Sequence, residues 1–192
     1  MTVDSATLNG SGHDEKGHDV GDDEQLSMDL GVEQTAWGRW EDPERHAAQV
    51  QKFINDAKLE RIPSEPWPEN STEIKRLDPV IAEWFPDMAA VMSPEKSDKV
   101  DSFVCFLGEM LIRFAGAEWI EYEWFGRDKS LYDDVNPALR FDNFDEDERT
   151  AWSLVKAIVE YYPDDHDGMA TKMASIIREY AGYHQEKIDA EA

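Results

Sequence analysis

The chain carries one cysteine, Cys105, so an internal disulfide is impossible, and its neighbours Val104 and Phe106 are apolar, which leaves no call for an oxidising compartment. Basic side chains are scarce. Nineteen Lys and Arg stand against 43 Asp and Glu in 192 residues, a formal net charge of -24. Such a charge repels phosphate backbones and anionic headgroups, which argues against direct nucleic-acid binding and against docking on a membrane surface. Long apolar runs are missing too, all far below the roughly 18 residues of a membrane span. The opening MTVDSATLNGSGHDEKGHDV has neither the basic start nor the apolar block of a secretory leader. The expectation is a soluble, cytoplasmic protein.

Familiar chemical signatures are equally scarce. There is no Walker loop, GxGxxG turn, GxSxG elbow, HExxH helix or CxxC pair. Two acidic tracts invite a metal reading and fail it. His13 and His18 among Asp14, Asp19, Asp22, Asp23 and Glu24 lack fixed geometry, because ordering a polar tract costs entropy. In PDDHDGM, placing Gly168 sixth in a calcium loop would require an acid at Pro163 and a glutamate at Ala174. No metal and no cofactor is called for, and the balance lies against an enzyme.

What is present is a core. A hydrophobic fraction of 41% and an aromatic fraction of 11%, with seven Trp, belong to a folded protein. Residues 1–35 read as a disordered acidic tail, although Leu26, Met28, Leu30 and Val32 alternate within it. Residues 36–190 read as a single α+β domain, four to five helices packed on a small antiparallel sheet.

Trp37 and Trp40 open that domain. Asp42-Pro43 starts a helix to about Leu59 with Ala47, Val50, Phe53 and Ile54 on one face. IPSEPWPENS is an extended connector anchored by Trp67. Glu73 to Phe85 is helical, with Pro79 expected to restart the helix after Asp78. The central helix begins at Ser93 or Ser97 and is apolar on nearly every side through Phe114, with Gly116 as its C-terminal cap. Trp119 to Phe125 then alternates like a strand, with Ile120, Tyr122 and Trp124 on one face and Trp119, Glu121, Glu123 and Phe125 on the other. Leu131 with Tyr132, then Val135 to Phe141, supply one or two further strands, with Pro137 making the latter an edge or leaving it irregular. Asp142 or Asp145 is expected to cap a helix reaching Tyr162, and a last helix runs from Met169 to about His184.

This order of a Gly-Glu helix, a Trp-bearing strand and a second strand resembles a pattern found in several small bacterial families, some of them immunity proteins. No functional residue is transferred from that resemblance. On the residues alone, three functions stand as expectations. The first is a protein-interaction module, of inhibitor or immunity type, that docks a basic partner through Glu121, Glu123, Asp133, Asp134, Asp142, Asp145 and Asp147. The second is a small-ligand protein or unfamiliar enzyme with a cleft around Glu109, Trp119 and Arg127, beside Glu121 and Glu123. Glu109 attracts attention because a carboxyl on so apolar a helix would be desolvated, while Arg113 four residues on offers an intrahelical ion pair. The third is a structural homo-oligomer built through exposed aromatics.

Overall fold

The computed structural model describes residues 34–123, 130–160 and 168–192. The acidic tail expected over residues 1–35 lies almost wholly outside the described residues, as do Trp124, Phe125 and Arg127. The chain order is α1 (Ala36–Trp40), α2 (Pro43–Asp56), α3 (Thr72–Trp84), α4 (Met88–Val91), a single 3-10 turn at Pro94–Lys96, α5 (Ser97–Ala115), β1 (Glu118–Glu121), β2 (Pro137–Arg140), β3 (Glu148–Thr150), α6 (Ala151–Val159) and α7 (Met169–Glu191). The architecture is α+β, with helices around a three-stranded antiparallel sheet of order β1-β2-β3. Among the described residues no helix is long and apolar enough to cross a membrane.

The centre is α5. Val100, Phe103, Val104, Cys105, Phe106, Leu107, Met110 and Leu111 are all buried, and α2 and α7 pack on it from two sides. Phe53 of α2 stacks on Phe106 at 4.2 Å between centroids, while Ile176 and Ile177 bring in α7. Gly116 ends the helix at φ 60°, a left-handed conformation that a residue without Cβ adopts freely. Trp67 anchors the proline-rich connector: it is buried, its Nε1–H donates to Glu73 at 2.8 Å, and its carbonyl accepts from Arg178.

Three expectations need correction. Helix α3 runs unbroken through Pro79. Its apolar face, Ile74, Leu77 and Ile81, is buried on both sides of the proline, and that packing outweighs one lost backbone hydrogen bond. Pro137 does not mark an edge either, because β2 is the central strand. Tyr122 N–H donates to the Asn136 carbonyl at 2.9 Å, and antiparallel bonds alternate, so Asn136, Ala138 and Arg140 bond toward β1. The nitrogen of Pro137 therefore faces the other side, where β3 has already turned into α6, and no donor is missed. Finally, residues 142–147 form the loop of the β2–β3 hairpin and do not begin a helix. Helix α6 starts at Ala151, capped by the Thr150 hydroxyl, which accepts from Ser153 N–H at 3.1 Å.

The sheet joins the helices through large side chains. The Trp119 indole lies so close against Gly108 of α5 that an added Cβ there would fall 2.0 Å from its ring. Phe141 stacks on Tyr180 of α7 at 3.9 Å, and Arg149 donates to the Tyr180 hydroxyl at 2.9 Å. The sheet is thus seated on the two longest helices, β1 on α5 and the β2–β3 hairpin on α7.

Candidate functional site

The seven carboxylates expected to dock a partner fall into two groups at opposite ends of the sheet. Glu121 pairs with Pro137 at the start of β2, and Asp133 and Asp134 lie just upstream in the segment leading into that strand. Glu121, Glu123, Asp133 and Asp134 are all exposed at this end. Asp142, Asp145 and Asp147 occupy the β2–β3 loop at the other end. They differ in what holds them.

Asp142 is engaged inside the molecule. Lys187 Nζ donates to its Oδ1 at 2.6 Å, and His184 Nδ1 lies 3.2 Å from its Oδ2 and 2.9 Å from its carbonyl oxygen. The bond from Lys187 holds the Asp142 carboxyl below its ordinary range, and Asp142 in turn raises Lys187. Asp147 is half-buried and accepts from Asn143 Nδ2 at 3.1 Å, while its own N–H donates back to Asn143 Oδ1 at 3.2 Å. Phe141 N–H to the Asp147 carbonyl and Glu146 N–H to the Asn143 carbonyl close the turn, with Glu146 at φ 49°. Asn143 is buried and performs the bracing.

At the crown of this braced loop stands Phe144, 63% exposed, between exposed Asp142, Asp145 and Glu146. The aromatic ring has no core to enter, since Phe141 and Asn143 already fill the inward positions. Sequence reading passed over Phe144 because one aromatic among acids carries no periodic signal. Its only sequence cue is that Asp and Asn crowd around it, as they do in tight turns.

The second expected constellation lies only partly within the described residues. Glu109 is half-exposed and meets Arg113 at 3.5 Å, on the outer stripe of α5 with exposed Ile112. Trp119 is engaged against Gly108, and Arg127 lies outside the described residues. Instead, a different polar group occupies the core. Asp101 of α5 accepts from Arg45 Nη2 at 2.5 Å and from the Tyr132 hydroxyl at 2.7 Å, and Arg45 Nη1 donates to the Trp40 carbonyl at 2.9 Å. Burial is the largest single influence on Arg45 and lowers its pKa, but the charge and hydrogen bond of Asp101, with smaller contributions from Cys105 and Tyr132, together leave it raised. The Tyr132 phenol is pushed well above its usual value by burial and then by Asp101. Cys105 is pushed up to about 12 by burial and by Asp101, so its thiol stays protonated and is no nucleophile near neutral pH. His46 is shifted down by burial and by Arg45, which keeps its ring neutral. It packs edge-on with Trp40 and Trp119, at 4.6 and 5.9 Å between centroids.

Beside this group lies a hollow of about 660 Å³ lined in part by Trp40, Arg45, Met92, Ser97, Tyr132 and Asp133. Its volume suits a small molecule. Its charges do not select one, because Arg39 and Arg45 are matched by Asp133 and Asp134. Neither Glu109 nor Trp119 lines it. Among the described residues, no group of three His, Cys, Asp or Glu side chains is placed to hold a metal ion.

Compared with protein-family models, with curated proteins and with solved structures, the chain finds no match.

Proposed function

We propose that this chain is a cytoplasmic protein-interaction module, of inhibitor or immunity type, that docks a basic protein partner with the β2–β3 hairpin loop. The observation that carries this reading is Phe144: a large apolar side chain held 63% exposed on a loop braced by Asn143, Asp147, His184 and Lys187. Aromatic anchors dominate interface energetics when they enter a pocket on the partner. A loop already fixed in shape loses little entropy on binding. Asp145 and Glu146 around the ring supply long-range attraction to a basic surface, which speeds encounter and excludes acidic partners. Asp142 belongs to the brace, and the exposed carboxylates at the tip are Asp145 and Glu146, the latter also acting on Lys187.

The test is a low-salt pull-down from host lysate with three baits: the wild type, Phe144→Ala, and Asp145→Lys with Glu146→Lys. The expected result is a basic protein held by the wild type, eluted by added salt, and lost from both variants. Identical capture by all three baits, or capture of no basic protein, defeats the proposal. A small-ligand role is the second reading, favoured by the 660 Å³ hollow beside Arg45 and Tyr132. Ligand-induced NMR shifts at Ser97 and Tyr132 would support it.

A further inference from the structure

The outer edge of β1 is a second, independent feature of the same sheet. The alternation that sends Ile120 and Tyr122 toward β2 sends the N–H and C=O groups of Trp119 and Glu121 the other way. No strand lies on that side among the described residues, since β1 pairs with β2 alone. An edge of this kind is a template for another extended chain. Its side chains state which chain. Glu121 and Glu123 are exposed on one face along it, Tyr122 is 38% exposed between them, and Glu118, on the other face, is paired with Arg140 at 3.4 Å. A second copy of this protein would set carboxylates against carboxylates and bring together two molecules of charge -24. A chain with Lys or Arg at alternate positions would face those carboxylates while its backbone completed the ladder.

We infer that the free edge of β1 accepts an extended, basic segment of a partner as a fourth strand, paired to the backbone of Trp119 and Glu121. The inference rests on the docking role proposed above and names how the partner engages a different part of the sheet. Recognition then has two components: backbone hydrogen bonds that supply register, and Glu121 and Glu123, two residues apart on one face, that select positive side chains. Pro137 leaves this arrangement undisturbed, because it sits opposite Glu121 in a pair that exchanges no hydrogen bonds.

The test uses a blocked eight-residue peptide of alternating Lys and Val as probe. Two controls accompany it: the same peptide N-methylated at alternate residues, and one with Glu in place of Lys. Binding is followed by NMR shifts and by hydrogen exchange at the Trp119 and Glu121 amides. The expected result is slowed exchange at these two amides with the Lys/Val peptide and with neither control. Glu121→Pro removes one outward N–H without touching the β1–β2 ladder and is expected to weaken binding at least tenfold with unchanged circular dichroism. Glu121→Gln keeps the N–H and is expected to weaken it less. Equal binding by the N-methylated peptide, equal binding to Glu121→Pro, shifts confined to residues 142–147, or no binding would each overturn the inference. A partner captured through Phe144 while the Trp119 and Glu121 amides stay unprotected would leave the docking role standing and remove only the added strand. Failure of Phe144→Ala to change capture would remove the docking role instead.

Discussion

Asp101 is the residue on which Arg45 and Tyr132 converge. It sits on the buried side of α5, 8% exposed, and its carboxylate accepts from both. Asp101→Asn keeps the shape and removes the charge, which strands the Arg45 guanidinium. Urea unfolding is expected to show a loss of about 2–3 kcal/mol, below the value for a fully buried pair because Arg45 still reaches water. The neighbouring thiol predicts alkaline behaviour. Cys105 is raised from 9.0 to about 12 on folding, so between those values the unfolded chain releases a proton that the folded chain keeps. Stability contributed by burying the neutral thiol is complete below pH 9 and falls as the pH rises toward 12. Unfolding measured across that range is expected to flatten in Cys105→Ala, with a residual slope from Tyr132, whose pKa is also raised.

Among the elements, α3 shows packing overriding propensity. Pro79 is exposed, so its ring contributes little to the core while its missing N–H weakens the helix. Pro79→Ala is expected to raise stability by about 1–3 kcal/mol, read as a higher urea midpoint at unchanged slope. A midpoint that does not rise would mean that the proline sets the geometry of Asp78. That carboxylate accepts from Thr171 N–H and Oγ1–H and caps α7, whose own first residues bring no side-chain cap. The helices α2, α3, α5 and α7 were legible in the sequence because a 3.6-residue period is local information, and Gly116 marked its own cap. The hairpin was not. Glu148-Arg149-Thr150 is a strand with no alternating apolar residue, and the acids before it carry the same signature as helix caps. The Glu109–Arg113 pair was legible in its four-residue spacing, and with Ile112 these residues form one stripe that faces outward. The Arg45–Asp101 pair joins residues 56 positions apart, beyond anything periodicity can report.

For the molecule as a whole, charge is the dominant global term. A net charge of -24 repels itself in the compact state, and the ion pairs seen, such as Arg140 with Glu118 and Glu148, neutralise only part of it. Added salt screens this repulsion over distances near 10 Å at 0.1 M. Raising NaCl from about 20 mM to about 500 mM is therefore expected to raise the melting temperature, whereas a protein held mainly by surface ion pairs would lose stability. The same salt weakens attraction to a basic partner, so stability and binding move in opposite directions.

The two bonds from His184 and Lys187 to Asp142 also link two places that the chain separates by more than forty residues. Beyond Tyr180 no residue of α7 is buried, so this stretch opens more readily than the core. Each local opening that reaches Lys187 and His184 unlatches the loop that carries Phe144. The C-terminal turns and the hairpin loop then behave as one opening unit, and their amides are expected to exchange with deuterium at a common rate. Lys187→Ala should accelerate both together, an outcome that independent opening of the two segments would not produce.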